Sequence, residues 1–188
     1  MARAGVSVDG LTRAAAQLAD EIGFDAVTVS ALARRFDVTA ASLYSHIKSL
    51  DDLRCRVAAL ALTELADRAV DALAGRAGKD ALVAFGSAYR DYARQHPGRY
   101  TAARHRIDPD SPAARAALRH TELMHTILRE YDLPQTEQTH AVRLLGSTFH
   151  GFANLEAAGS FAHSGQVDAS WSRVLDALHV ALLEWPRS

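Results

Sequence analysis

The stretch TVSALARRFDVTAASLYSHIKSLDDL, residues 28–53, decides how the N-terminal part of this chain folds. It contains two short helical patterns, about 29–36 and 40–47, separated by a break at Asp37. A threonine precedes each pattern and is suited to cap it, because its side-chain oxygen accepts a hydrogen bond from a backbone N–H of the first turn. A helix of two turns is not stable alone, so both must pack against a neighbour.

The residues before this stretch supply that neighbour. Residues 8–22 form an amphipathic pattern with apolar side chains at three- and four-residue spacing, and Gly23 predicts the C-terminus of the helix. Three helices with a tight connection between the last two predict a helix-turn-helix, whose final helix can lie in the major groove of DNA. In that helix, Leu43 and Ile47 are the expected buried positions.

The other positions of the last helix are small or polar. Small residues let a helix approach bases closely, hydroxyls can bond base edges or phosphates, and longer polar side chains reach phosphates, which fix the register. The expected exposed residues are Thr39, Ala40, Ala41, Ser42, Tyr44, Ser45 and His46, followed by Lys48. The same pattern also fits an ordinary helical bundle with a solvated polar face.

Residues 8–53 resemble the DNA-binding domain of the TetR/AcrR family of transcriptional regulators. The matching residues are Thr28-Val29, Leu32-Ala33, Val38-Thr39, Ser42-Leu43-Tyr44, His46, Lys48-Ser49 and Leu53. The resemblance implies base or backbone contacts from Thr28, Ser30, Thr39, Ala40, Ala41, Ser42, Tyr44, His46 and Lys48. Two positions depart from the family pattern: Asp37 replaces the turn glycine, and Leu50 replaces a basic residue.

Composition places the whole chain in the all-α class. It has 188 residues, of which 48% are hydrophobic, with abundant alanine and few β-branched runs. The lack of a signal-peptide pattern or a long apolar run leads us to expect a cytoplasmic protein. The net charge of −1 gives no support to nucleic-acid binding, so a DNA-facing surface must come from the local arrangement of charges.

Apolar periodicity predicts about nine helices. After the helix-turn-helix, they are expected over 49–73, 79–95, 99–106, 113–131, 135–159 and 168–184. We therefore predict a helix-turn-helix DNA-binding domain over residues 1–50 and a helical ligand-binding and dimerisation domain over residues 51–188. The last two helices have broad apolar faces, which predict a homodimer interface in addition to intramolecular core.

The C-terminal part carries a second, weaker resemblance, to the TetR-type domain named for its Trp-His-Gly triplet. Here the triplet reads Phe149-His150-Gly151, so the indole N–H donor is lost. Aromatic bulk mixed with a few polar groups is the usual make-up of a small-ligand pocket. The candidate ligand-binding residues are Phe85, Tyr89, Tyr92, Tyr100, His120, Met124, Phe149, His150 and Asn154.

No enzyme, cofactor or metal site is predicted. Glu122/His125 and Glu137/His140 share the Glu-x-x-His spacing of di-iron bundles, but no further inward glutamates are evident. Cys55 is interpreted as a small buried hydrophobe near the joint of the two domains.

The prediction is a DNA-binding transcriptional regulator without a membrane association. It is expected to be a repressor that binds a palindromic operator as a homodimer and is released by a small-molecule effector. The long helix that begins after Ser49 is expected to connect effector site and DNA-binding domain. The alternative is a helical ligand-binding protein that has lost its DNA function.

Overall fold

The computed structural model describes residues 7–105, 109–163 and 165–186. These residues form an all-α fold, with no strand among them and two short 3-10 turns at Phe24–Ala26 and Arg129–Tyr131. The nine α-helices within these described residues are α1 Val8–Ile22, α2 Val29–Phe36, α3 Ala40–Leu43, α4 Leu50–Leu73, α5 Gly78–Gln95, α6 Pro97–Ala102, α7 Pro112–Leu128, α8 Gln135–Ala157 and α9 Val167–Leu183. No helix in the described ranges has the length and apolar character that crossing a membrane requires.

The predicted ends of the first two helices are confirmed, whereas the third helix is shorter than predicted. Helix α3 stops at Leu43 instead of continuing to Ile47. The chain goes on in tight turns, because the N–H of Ser45 donates to the Ser42 carbonyl and the N–H of His46 to the Leu43 carbonyl. Leu43 and Ile47 are still buried as predicted, so the change in winding keeps the expected inner face.

Two later helices also differ from their predicted ranges. The predicted helix over 99–106 instead begins at Pro97 and ends at Ala102, with proline in the first turn, where a missing N–H costs no hydrogen bond. The end of that predicted range, 106, lies outside the described residues. The α-helical part of α7 ends at Leu128, and the last predicted turn tightens into the 3-10 turn Arg129–Tyr131 before Asp132.

The chain forms two compact units. Unit 1 comprises the chain up to Glu64 together with His96–Ala117, and unit 2 comprises Leu65–Gln95 and the chain from Leu118 onward. Residues 51–64 and α6 therefore group with the helix-turn-helix, although the sequence assigned them to the C-terminal domain. The functional boundary at residue 50 stays a prediction.

The core of unit 1 forms where α1 meets the helix-turn-helix and α6. Leu11, Leu32, Leu43 and Leu53 are fully buried in this core, and Phe24 fills the space beside them. The buried residues of α2 are Val29, Leu32 and Ala33, and four-residue spacing separates Leu43 of α3 from the buried Ile47 beyond it, which leaves the opposite faces in solvent.

Unit 2 packs α5 against α8 and α9. Gly86 allows the close approach, because a Cβ there would lie 2.8 Å from Cδ2 of Leu175 and 3.1 Å from Cε1 of Phe149. The inward stripe of α9, formed by Trp171, Leu175, Leu178 and Leu182, is buried within this unit.

Candidate nucleic-acid interface and effector site

Both short helices of the helix-turn-helix are capped as their sequence predicts. Oγ1 of Thr28 accepts a hydrogen bond from the N–H of Ala31 at 3.1 Å, and Oγ1 of Thr39 accepts one from the N–H of Ser42 at 3.3 Å. Each cap satisfies one of the backbone donors that a helix start leaves without a partner. The two caps fix where α2 and α3 begin on the exposed side of unit 1.

The connection between α2 and α3 is a Schellman motif. The N–H of Val38 donates to the Ala33 carbonyl at 3.1 Å, and the N–H of Asp37 donates to the Arg34 carbonyl at 3.3 Å. Asp37 has a φ of 52° and a ψ of 48°, so it adopts the left-handed conformation expected where it replaces glycine. The tight turn therefore survives this departure from the family pattern.

The structure brings the predicted DNA-binding residues together on this short segment of unit 1. Tyr44 is a large exposed side chain among them, with 54% of its surface accessible. The exposed members of the set are Thr28, Ser30, Thr39, Ala41, Ser42, Tyr44 and Lys48, while Ala40 and His46 are half-buried. Their role in binding DNA stays a prediction.

The serine hydroxyls of this surface already have partners in the free protein. Oγ of Ser42 donates to the Thr39 carbonyl at 2.7 Å, and Oγ of Ser45 donates to the Ser42 carbonyl at 2.7 Å. Such local bonds leave the oxygen lone pairs available as acceptors. A serine here can therefore accept a hydrogen bond from a base amino group without losing its backbone contact.

The start of α4 is held by a pair of reciprocal hydrogen bonds. The N–H of Asp52 donates to Oγ of Ser49 at 3.0 Å, and the carboxylate of Asp52 accepts from the N–H of Lys48 at 3.1 Å. Nε of Arg56 adds a third contact to Asp52 at 3.2 Å. Burial works to raise the pKa of Asp52, but the Lys48 N–H and Arg56 outweigh it and hold the pKa below its usual value. The backbone at Lys48 is thus fixed while its side chain stays in solvent.

Two arginines of unit 1 make contacts within the protein that stabilise its fold. Nη1 of Arg35 lies 2.8 Å from Oε2 of Glu21, and its Nη2 donates to Gln17 at 3.2 Å, which ties α2 to α1. Arg54 donates to the Asp25 carbonyl at 3.3 Å and stacks over the Phe24 ring. The sequence did not single out either role, because both partners are distant along the chain.

Part of the predicted effector site comes together in unit 2. The hydroxyl of Tyr89 and Nδ1 of His120 lie 2.5 Å apart and are buried. The Tyr89 ring lies 4.8 Å from that of Phe85 and 6.1 Å from that of Phe149, and 6.3 Å from the half-buried ring of His150. The cluster is a largely apolar region with one buried polar pair, between α5, α7 and α8.

The remaining predicted effector residues are more scattered. Met124 is buried, and Tyr92 is buried with the guanidinium of Arg68 over its ring. Asn154 is exposed on α8. Tyr100 belongs to unit 1, where burial raises its pKa to about 12 against the opposing effect of Arg104, so the predicted residues do not all lie in one compact unit. None of the nine lines the cavity beside Asp9 and Cys55 in unit 1, or the cavities beside Arg90 and beside Arg76 in unit 2.

A buried arginine in unit 2 was not predicted. The side chain of Arg90 is only 6% exposed and makes a two-pronged contact with Glu156, at 2.7 and 2.6 Å. It also pairs with Asp168 at 2.7 Å and lies over the rings of Phe152 and Trp171. The pKa of Arg90 is raised above its usual value, and the hydrogen bonds to Glu156 are the largest cause. In the sequence, the one sign of this buried ion pair is that Arg90 is a charged residue among the apolar positions of α5.

The sequence motifs with Glu-x-x-His spacing have other partners. Nδ1 of His125 contacts Oε1 of Gln138 at 3.0 Å, and Glu137 accepts a hydrogen bond from the indole N–H of Trp185 at 3.0 Å. Within the described ranges, no group of three or more metal-ligating side chains comes together. Cys55 is half-buried, so its interpretation as a buried hydrophobe was wrong, because it lines an open cavity of unit 1.

Two family descriptions match most of the chain. Residues 11–54 match the bacterial regulatory proteins of the tetR family, and residues 82–178 match the tetracyclin repressor-like C-terminal domain. An uncharacterized HTH-type transcriptional regulator from Mycobacterium tuberculosis is 34% identical over 158 residues, which cover 83% of this chain and 72% of the relative. A second such regulator, from Bacillus subtilis, is 32% identical over 171 residues and covers 90% and 89%.

Solved structures show the same fold. A protein of unknown function from Rhodococcus aligns with a TM-score of 0.79 at 21% identity, covering 96% of this chain and 97% of that one. A TetR variant from Acinetobacter baumannii, solved in complex with minocycline, aligns with a TM-score of 0.72 at 22% identity, covering 98% and 100%.

These matches define the class of protein as a bacterial helix-turn-helix transcriptional regulator. The chain belongs to the TetR family. The DNA-binding regulator predicted from the sequence is thereby confirmed over the alternative of a ligand-binding protein without DNA function.

Proposed function

We propose that the protein is a repressor that binds a palindromic operator as a homodimer and is released by a small molecule. The observation that carries the proposal is the exposed, capped segment from Thr39 to Lys48 on a buried inner face. Such a segment presents side chains to the major groove without disturbing the core beneath it.

Direct readout by this surface relies on short side chains. Ala41 and the methyl of Thr39 suit contact with a thymine methyl, while the hydroxyls of Thr39 and Ser42 suit base edges or phosphates. Tyr44, His46 and Lys48 fix the register by reaching phosphates, and Thr28 and Ser30 contribute from the start of α2.

Exposed apolar side chains on the last two helices support the proposed dimer. Leu155 of α8 and both Val180 and Leu183 of α9 are about half accessible, at 49, 51 and 59%. They lie outside the buried stripes that form the core of unit 2, so pairing them with a second copy removes apolar surface from water. Alanines on the outward side of α9, such as Ala177 and Ala181, allow close helix packing.

The proposed effector site is the region around Tyr89 and His120 in unit 2. Phe85, Phe149 and Met124 supply apolar walls, and His150 and Asn154 add polar groups from α8. Tyr92 is proposed as an outer member of the set, whereas Tyr100 belongs to unit 1 and is not part of the proposed site. The solved TetR complex with minocycline concerns another protein, and the effector of this chain is not identified by it.

Release requires the effector to bind the DNA-free form more tightly, by typically about 1–3 kcal/mol. Helix α4 contributes its first part to unit 1 and its second part to unit 2, so it is the proposed carrier of the change. An effector that binds without altering operator affinity contradicts this mechanism.

A salt-dependent gel shift on the DNA flanking the gene tests the DNA-binding surface. Tyr44→Ala and Lys48→Ala are expected to weaken binding to all sequences, and Lys48→Ala is expected to reduce the slope of log K against log salt by about 1, as loss of one phosphate contact does. Folding is expected to be unaffected, because the Lys48 side chain is exposed and the hydrogen bond to Asp52 comes from the backbone N–H of Lys48, which the variant keeps.

Lys79→Ala is the matched control, because Lys79 lies in unit 2 and pairs with the half-buried Asp176 at 2.7 Å. It is expected to leave DNA affinity and its salt slope unchanged. Equal loss of affinity in both lysine variants contradicts the assignment of the surface.

A further inference from the structure

A cavity of about 430 Å³ opens in unit 1, outside the proposed effector site. The first turn of α1, the first half of α4 and the start of α7 form its walls, all within this one compact unit. Its volume lies in the range of ligand pockets, about 300–1,000 Å³. Ala59, Leu60 and Pro112 supply an apolar wall, so the cavity can take up a small hydrocarbon or aromatic group.

The charged groups of the cavity are two carboxylates and one guanidinium. Asp52 is already engaged, because it accepts from the Lys48 N–H at 3.1 Å and from Arg56 at 3.2 Å. Asp9 is exposed in the first turn of α1 and has no ion-pair partner in the part of the chain that the structure describes. The cavity therefore carries one negative charge in excess, located at Asp9.

We propose that this cavity binds a small hydrophobic cation, such as an arylalkylammonium ion. The ammonium group pairs with Asp9, and the hydrocarbon part packs against Ala59, Leu60 and Pro112. An anion of the same shape is repelled by the negative charge of Asp9 and therefore binds more weakly. A neutral molecule of that shape gains only the apolar contacts. The charge at Asp9 thus gives the site its preference among molecules of one size.

Occupation of the cavity also affects the proposed DNA surface. Asp52 lies in the same cavity wall and holds the backbone N–H of Lys48. An ammonium ion paired with Asp9 therefore brings a second positive charge into the cavity, which competes with the Lys48 N–H for the Asp52 carboxylate and loosens the segment before α4. This coupling rests on the proposed function, whereas the binding itself does not.

Cys55 lines the cavity and is the only cysteine of the chain, which provides a direct readout of occupancy. Iodoacetamide alkylates it through attack of the thiolate on the methylene carbon, with iodide leaving and the thiol proton passing to solvent. Mass spectrometry follows the reaction rate in the full chain with increasing 2-phenylethylammonium, 2-phenylethanol or 3-phenylpropionate. The ammonium ion is expected to slow alkylation in a saturable manner.

The order of the three probes tests the charge preference in the unmodified protein. The ammonium ion is expected to bind about two- to fivefold more tightly than the alcohol, the range that an exposed ion pair provides, and the carboxylate is expected to bind least. Equal protection by the ammonium ion and the alcohol overturns the proposal, and so does the absence of protection by any probe at millimolar concentration.

Asp9→Asn tests the residue. This variant is expected to bind the ammonium ion no more tightly than the alcohol, while Asp80→Asn, the same change in the first turn of α5, leaves the preference intact. A preserved preference in Asp9→Asn overturns the assignment to Asp9. Circular dichroism of both variants checks that each remains folded.

A gel shift with the ammonium ion separates the two levels of the proposal. Lower DNA affinity at saturating probe is the expected result, and unchanged affinity despite protection of Cys55 overturns the coupling alone. If the ammonium ion protects Cys55 but the protein binds no DNA under any condition, the proposed function is contradicted and the cavity assignment stands.

Discussion

At the scale of single residues, backbone conformation decides where helices end. Among the described residues other than glycine, only Asp37 and Asp132 have positive φ, at 52° and 48°. Asp37 closes α2, and Asp132 follows the turn after α7. Aspartate adopts the left-handed conformation more easily than most residues but less easily than glycine. Both positions therefore hold a small strain that a substitution can remove.

Asp37→Gly is expected to raise the free energy of unfolding by about 0.5 kcal/mol. A left-handed residue other than glycine costs about 1–2 kcal/mol, and the greater freedom of glycine in the unfolded chain offsets about 0.4–1 kcal/mol of that gain. Urea denaturation measures the difference.

Asp71→Gly provides the comparison, because Asp71 lies within α4. In a helix, glycine is less favourable than alanine by about 0.5–1 kcal/mol. It should lower the free energy of unfolding. The same sign of change in both variants contradicts the assignment of strain to Asp37.

At the scale of elements, the contact between α6 and α1 is the main feature that sequence periodicity did not predict. Asp20 of α1 accepts a hydrogen bond from the backbone N–H of Arg99 at 2.9 Å, and its carboxylate forms an ion pair with Nε of Arg99 at 3.1 Å. Nδ1 of His96 lies 3.3 Å from the same carboxylate. Gly98 lets the backbones of α6 and α1 touch, which no local pattern reveals because the partners are 79 residues apart.

Gly98→Ala is expected to destabilise unit 1 by about 1–3 kcal/mol or more, the cost of overpacking a filled site. A Cβ there would lie 2.0 Å from the carbonyl carbon and oxygen of Ala19, and backbone cannot move aside as a flexible side chain can. Thermal unfolding followed by circular dichroism measures the loss.

Gly151→Ala is the matched control within a helix. A Cβ at Gly151 has no neighbour within 4 Å, so the greater helix propensity of alanine should stabilise the chain by about 0.8–1.0 kcal/mol. Similar destabilisation by both alanines contradicts the steric explanation at Gly98.

The cap of α4 predicts a pH effect. The pKa of Asp52 lies below its unfolded value, so its contribution to stability is full above the unfolded pKa and is lost as the pH falls through the folded pKa. Asp52→Asn is therefore expected to reduce the loss of stability on acidification below about pH 4, measured by urea denaturation at several pH values. An unchanged pH profile in the variant contradicts this role.

Element ends were predicted well where a capping residue marked them, as at Thr28, Thr39 and Ser49. In the recognition segment, residues 39–48, the sequence predicted helix as far as Ile47, whereas α3 ends at Leu43. The prediction was wrong there because the same apolar spacing fits an α-helix and a series of tight turns. The sequence predicted aromatic effector-site residues on α5 and α8, and the structure places the rings of Phe85, Tyr89 and Phe149 close together. Their role in binding an effector stays a prediction. The ion pairs of Arg90 were missed, since they join residues far apart in sequence.

At the scale of the whole molecule, the proposed function requires two copies of the chain. Each copy presents one recognition segment, and a palindrome offers two half-sites about one helical turn, ~34 Å, or a multiple of it apart. The proposed interface on α8 and α9 uses apolar side chains that the core of unit 2 leaves exposed. Affinity for DNA is therefore expected to depend on protein concentration through dimer formation.

Val180→Lys is expected to weaken self-association at least about tenfold, because it places a charge where apolar surface is to be buried. Sedimentation equilibrium measures the change, and operator binding should weaken in parallel. Val70→Lys is the control, since Val70 is also partly exposed, at 38%, but lies on α4. Unchanged association in Val180→Lys places the interface elsewhere.

The shortness of α3 has a consequence for the evolution of this regulator. Ala41 and Ser42 point into solvent, while Leu43 and Ile47 hold the segment to the core. Under the proposed function, substitutions at the outward positions are therefore expected to change which bases are favoured, at little cost in stability. A duplicated gene can acquire a new operator through one or two codon changes there, and libraries randomised at these positions should yield folded variants with altered targets.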